Sequence, residues 1–221
     1  MLQYFIGTMF FFIVWLVLFL HKKFLRKEML IMSLIVAPMG PLSAIFYLRD
    51  YWHPEYLFSI FGVGIEDLLF SFFIGGIGSV AYEEFFIKKM RKTKREQSKT
   101  LAFIGLICLF LLIILTFVFK INSIYSSSIV FLVAGAIVIT KRHDLLKNAI
   151  GSGILVALIM LVFYIFFVGI YPAIIDDWWK LNNISGLLVF GTPIEELIWG
   201  FSWGFLSGPF YEFWRGFKEQ E

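Results

Sequence analysis

The chain has 221 residues, of which 60% are apolar and 16% charged, and its mean hydropathy is +0.85. A soluble domain of this size cannot hide so much apolar surface, so the composition predicts an all-helical polytopic membrane protein. The net charge is +3; the single Cys108, inside an apolar run, excludes an intrachain disulfide, and with three scattered histidines it gives no zinc-like cluster.

A hydrocarbon core of ~30 Å takes about 20 helical residues. Runs near that length fall at 4–20, 29–48, 65–86, 101–119, 124–140, 147–171 and 194–213, which predicts seven spans. The first run is not read as a signal peptide, because Lys22 and Lys23 follow it and no small-residue cleavage site comes after. The fifth is the weakest, opened by Ser126, Ser127 and Ser128.

Charge decides the orientation. Lys22, Lys23, Arg26 and Lys27 follow the first span, and a cluster from Lys88 to Lys99 follows the third. Lys141, Arg142 and Lys147 follow the fifth, and Arg215 and Lys218 the seventh. The opposite side holds only Arg49, Lys120 and Lys180. This asymmetry predicts a multi-pass protein of the cytoplasmic membrane, N-terminus outside and C-terminus in the cytoplasm. The cluster at 88–99 is read as a topology signal rather than a nucleic-acid or calmodulin patch.

The chain also resembles itself. A shift of 129 positions aligns Phe61–Glu83 with Phe190–Glu212 without a gap, and Phe61, Gly62, Ile65, Glu66, Leu68, Phe72, Gly75, Tyr82 and Glu83 meet their own kind. The alignment predicts a single membrane domain over 1–221. Within it, a three-helix repeat at 1–87 and another at 121–214 flank a basic loop and connector helix at 88–120.

The two copies carry Gly62-Val63-Gly64-Ile65-Glu66-Asp67 and Gly191-Thr192-Pro193-Ile194-Glu195-Glu196. An acid at a helix start meets the positive end of the dipole and free N–H groups, so capping explains one acid per copy. Capping does not require two adjacent acids twice, and an ionisable group at membrane depth costs at least ~2.5 kcal/mol and marks interior function. At four-residue spacing each helix presents an acid, three small residues and another acid: Asp67, Ser71, Gly75, Ser79, Glu83 and Glu196, Gly200, Gly204, Gly208, Glu212. That stripe reads first as close helix packing and second as a ligand slot. Phe70 and Phe73, with Trp199, Ser202 and Trp203, stand a turn beyond the acids, where aromatic faces can stabilise a cation. Asp176, Asp177, Trp178 and Trp179 read as an outer interfacial anchor, Glu84 as a solvated interfacial residue, and His53 as a loop residue on the side of the acids.

These motifs resemble the lycopene cyclase domain family, the cofactor-free membrane type found as two small subunits or their fusion. Its mark is Pro-x-Glu-Glu/Asp opening a late helix in each half. Pro193-Ile194-Glu195-Glu196 matches fully; Gly64-Ile65-Glu66-Asp67 has the acids and glycine for proline. The resemblance implies isomerisation (intramolecular lyase chemistry) of a carotenoid or related isoprenoid end group: a proton added to an alkene, ring closure through a carbocation, and loss of another proton. It implies no redox cofactor and no metal, and the sequence holds no Rossmann-type glycine fingerprint. The expected catalytic residues are Glu66, Asp67, Glu195 and Glu196. Glu66 and Glu195 are expected to be central, with Asp67 and Glu196 as proton-sharing partners. Phe70, Gly75, Trp199, Trp203 and Gly204 are the expected substrate contacts. Substrate would enter from the membrane lipid, and no nucleic acid is expected as a partner.

Among the rivals, an intramembrane protease of the prenyl-protein type needs an arginine where Gly200 stands and histidines inside the membrane. A retinal protein needs a lysine in the seventh span, and a metal-dependent prenyltransferase needs spaced aspartates. None fits. A transporter or ion-binding protein using the paired acids of the two repeats remains the alternative.

Overall fold

The computed structural model describes residues 2–60, 62–87, 89–92 and 96–219, the last of these by its backbone alone. Phe61 of the repeated segment, and Lys88, Lys94 and Arg95 of the basic cluster, lie outside the described residues. Helices dominate, as the composition requires. In chain order they are α1 (Leu2–His21), α2 (Arg26–Val36), α3 (Met39–Asp50), α4 (Ile65–Phe86), α5 (Ser98–Ile113), α6 (Ser123–Lys141), α7 (Leu146–Ile170), the one-turn α8 (Ile174–Trp178) and α9 (Ile194–Arg215). The main bundle is held by α9 packed on α7 and α6, α4 packed on α2 and α1, and contacts of α4 with both α7 and α9.

Five of these helices are long and apolar enough to cross a membrane, counting α5 with the π-helical turn Ile114–Val118 that extends it, and the bent pair α2–α3 makes a sixth candidate. The chain is a membrane protein. Leu34, Phe110 and Val118, each about two-thirds exposed at 65%, 67% and 68%, belong to faces that suit lipid rather than water. The expected seventh span, 194–213, forms a helix of 22 residues but falls outside the apolar set, because its acids, glycines, serines and tryptophans dilute the aliphatic residues. The second expected span, 29–48, is broken. Pro38 has no N–H to continue the ladder, and α2 and α3 meet at 47° around Ala37 and Pro38. The kink lays the backbone of Gly40 against α4, where a Cβ would come within 2.1 Å of the Asp67 carbonyl oxygen.

Two short hairpins precede α4 and α9, where the sequence predicted only loops. Strand β1 (Ser59–Ile60) pairs antiparallel with β2 (Val63–Gly64), in register Ser59 to Gly64. Strand β4 (Leu188–Val189) pairs with β5 (Thr192–Pro193), in register Leu188 to Pro193. Phe190 and Gly191 turn the second hairpin with φ of 52° and 80°, the left-handed pair a two-residue turn demands. At the other end β3 (Met90–Lys92) pairs antiparallel with β6 (Phe217–Glu219), tying the basic loop to the last segment of the chain.

The basic residues after α1 and α6 also have a local task. Lys22 Nζ donates to the carbonyls of Glu83 and Ile87, both at 3.0 Å, and to that of Glu84. Arg142 donates to the carbonyls of Glu212 at 3.3 Å and Phe217 at 2.9 Å. Each cation thus covers the negative end of a long acidic-start helix, α4 in one case and α9 in the other.

Candidate functional site

Sequence neighbours separate at the starts of α4 and α9. In α4, Glu66 is fully buried; its Oε1 accepts the backbone N–H of Leu57 at 2.7 Å, and its Oε2 has no hydrogen-bond partner. In α9, Glu195 repeats this: Oε1 accepts from the Tyr125 hydroxyl at 2.5 Å and from Ser185 N–H at 3.0 Å, while Oε2 is unpartnered. The first acid of each pair therefore fastens the segment leading into its hairpin.

The second acids turn the other way. Asp67 Oδ1 accepts from the Tyr4 hydroxyl at 2.8 Å, and Oδ2 from Gly64 N–H at 3.2 Å in a capping arrangement. Glu196 Oε1 accepts from the Tyr51 hydroxyl at 2.6 Å and from Trp179 Nε1 at 2.9 Å. The chain brings these last two donors together by backbone pairing: His53 N–H donates to the Trp178 carbonyl at 2.7 Å, and Lys180 N–H to the Tyr51 carbonyl at 2.8 Å.

Asp67 and Glu196 line one cavity of about 110 Å³; Glu66 and Glu195 do not. By the ~10–15 Å³ that each water requires, the space is on the order of seven to eleven waters. Its walls are aromatic. Tyr4 sits edge-on to Trp52 at 5.1 Å, Tyr164 edge-on to Trp179 at 5.8 Å, and Phe70 and Trp199 close it from α4 and α9 with ring centres 6.2 Å apart. Tyr47 also lines it, donating to Ser127 Oγ at 2.8 Å and accepting from Trp199 Nε1 at 2.9 Å. Nearby, burial and then the Asp67 carboxylate push the Tyr56 hydroxyl up. Partial desolvation and then Lys180 hold the exposed His53 below the ordinary imidazole range. Among the described residues, no group of three or more His, Cys, Asp or Glu is arranged to hold a metal ion.

Several expectations are corrected. Trp203 stacks on Trp199 and donates to the Ile74 carbonyl at 3.2 Å, outside the cavity. Gly75 and Gly204 do not line it either. They are packing positions: a Cβ on Gly75 would reach Val36 at 2.6 Å, and one on Gly204 the Ser152 carbonyl at 2.4 Å. The small-residue stripe is thus chiefly a close-packing surface, with only Asp67, Ser71 and Glu196 reaching the cavity. Trp178 and Trp179 are buried cavity residues rather than an interfacial anchor, because α8 folds them inward. Glu84 is buried rather than solvated, and His21 Nδ1 meets its carboxyl. The far acids Glu83 and Glu212 are fully buried beside Glu28, away from the cavity, and Asn148 donates to Glu83. The hydroxyl and indole partners of the acids, Tyr4, Tyr51, Tyr125 and Trp179, carried no sequence signal beyond being aromatic.

Comparison with known families matches residues 122–214 to the lycopene cyclase family. That segment, about two-fifths of the chain, is similar to lycopene cyclase family domains. The match runs from the residue capping α6 almost to the end of α9, and so contains the complete Pro193-Ile194-Glu195-Glu196 motif of the lycopene cyclase resemblance. No curated protein and no solved structure matches the chain.

Proposed function

We propose that this protein is a lycopene cyclase-like isomerase that closes an ionone-type ring at a carotenoid end group by carboxyl-mediated proton transfer. The observation that carries the reading is the convergence of Asp67 and Glu196, from two different helices, on one aromatic cavity. Two proton-handling groups and an apolar, electron-rich wall are what this reaction needs. Alkenes are poor bases, so the donor must act in a dry site, and paired carboxyls can divide donation from acceptance. Tyr47, Phe70, Tyr164 and Trp199 offer π faces to a passing carbocation, each worth ~0.5–2 kcal/mol when water is excluded. Room for roughly seven to eleven waters is the scale of one end group rather than a whole polyene. The rest of the substrate would stay in the lipid from which it enters. The reaction is redox-neutral, and the residues described require no cofactor for it.

The reading includes the repeat. Each half runs helix, 3₁₀ turn, helix, two-residue hairpin and acidic-start helix, and α5 joins them. That order supports duplicated units at 1–87 and 121–214 about a connector at 88–120, with α2–α3 as the bent counterpart of α7. With α9 counted as a span, seven result. The cations at Lys22, Arg142 and along 88–99 support a cytoplasmic side at the ends of α4 and α9, in the cytoplasmic membrane.

The test is expression in a lycopene-accumulating bacterial host, followed by pigment chromatography. Ringed products from the natural chain, lost in Asp67→Asn and Glu196→Gln at equal membrane levels, are expected. Unchanged lycopene from well-inserted natural protein would sink the reading.

A further inference from the structure

The hydrogen bonds on the two cavity acids are of different kinds. Both oxygens of Asp67 are engaged, Oδ1 by Tyr4 and Oδ2 by the backbone of Gly64. That is the setting of a carboxylate: two donors are spread over two acceptors, and each oxygen keeps a second lone pair. On Glu196, by contrast, both donors converge on Oε1, Tyr51 at 2.6 Å and Trp179 at 2.9 Å. A neutral carboxylic acid has one carbonyl oxygen that accepts and one O–H that donates. The carbonyl oxygen of a neutral acid can accept both donors, which leaves Oε2 to carry the O–H in the cavity that Glu196 lines together with Tyr164, a further hydroxyl beside this carboxyl. Tyr51 and Trp179 cannot do the same for Glu195, whose oxygens are held by Tyr125 and Ser185.

Resting on the cyclase reading of this cavity, we propose that Glu196 delivers the proton and Asp67 collects it, with Tyr51 and Trp179 as the positioning residues that aim the Glu196 carboxyl. In the forward step the Oε2–H bond of Glu196 breaks and its proton adds to the terminal alkene, whose π pair forms the new C–H bond. The resulting cation is captured by the π pair of the neighbouring internal alkene, which closes the ring and moves the charge to a ring carbon. Asp67 removes a proton from the adjacent carbon, and that C–H pair becomes the ring double bond. One proton is given and one taken, no electrons are gained or lost, and exchange with water resets the two carboxyls.

The assay uses membranes holding the full chain, supplied with lycopene in deuterated water, with product and recovered lycopene read by mass spectrometry. The natural chain puts deuterium into ringed product. With Asp67→Asn the cation forms but reverts, so recovered lycopene gains deuterium while ring formation falls at least about 100-fold. With Glu196→Gln neither ring nor label forms. Tyr51→Phe and Trp179→Phe, which leave both acids in place, lower kcat about 10- to 100-fold with KM changed less than about threefold. Label in lycopene recovered from Glu196→Gln, or none from Asp67→Asn, overturns the assignment. So does a rise in KM at constant kcat in Tyr51→Phe, an arm independent of how the acid variants fold. Natural protein that yields neither ring nor label overturns the cyclase reading itself, whereas ring formation with the roles exchanged overturns this assignment alone.

Discussion

Replacing Glu195 by Gln separates the fastening acids from the cavity acids. Glu195 Oε1 accepts from Tyr125 at 2.5 Å and Ser185 at 3.0 Å, and its Oε2 is buried without a partner. A Gln side chain keeps an oxygen for both donors and sets an amide nitrogen where the unpartnered oxygen was. Both bonds are kept on a neutral acceptor, while the amide N–H groups set at the buried, unpartnered position cost ~1–3 kcal/mol. The loss is about 2 kcal/mol of local stability at the hairpin, with no change in the cavity. Conversion of lycopene should therefore stay within about tenfold of the natural chain. Glu196→Gln removes a proton-handling group and should cost on the order of 10²- to 10⁴-fold. Both are read by pigment chromatography at matched membrane levels, with limited proteolysis of the 185–193 segment reporting hairpin loosening in Glu195→Gln. Loss of activity in Glu195→Gln as complete as in Glu196→Gln would refute the separation, and would return Glu195 to the catalytic pair.

Glu66→Gln should behave like Glu195→Gln, since Gln can still accept from Leu57 N–H; a pigment yield below a tenth of the natural chain's would contradict this. Gly204→Val places a side chain where even a Cβ lies 2.4 Å from the Ser152 carbonyl, so α9 must move off α7. The expected cost is about 1–3 kcal/mol or more, seen as a lower unfolding temperature in detergent; an unchanged temperature would count against close packing there. The carboxyl of Glu96 is held below its ordinary range, first by the hydrogen bond from Lys92 and then by Arg215. Its contribution to tethering β3 and β6 is therefore present above the unfolded value of about 4.3 and lost as pH falls through the lower folded value. Hydrogen exchange along 217–219 should quicken below about pH 4, and Glu96→Gln should remove that pH dependence.

The sequence by itself determined the membrane class, the approximate ends of most helices, the two acid pairs and the family they resemble. Each of these is written in contiguous residues: aliphatic runs as long as a bilayer is thick, and acids beside glycine or proline at a helix start. It read 29–48 as one unbroken span and missed the break near Pro38, because a proline in an apolar run can be absorbed or can bend the span, and the neighbours that exploit the bend are not in the run. Tertiary structure decided which acid of each pair meets the cavity. Adjacent residues on a helix point about 100° apart, so once α4 and α9 pack against α2 and α7 only one carboxyl of each pair can face the shared space. It decided the partners as well. Tyr4 lies 63 residues from Asp67 and Tyr51 lies 145 from Glu196, and only the pairing of the segments after α3 and α8 brings Tyr51 beside Trp179. It turned Gly75 and Gly204 from candidate ligand contacts into packing surfaces, because what a small residue admits depends on the helix that arrives against it.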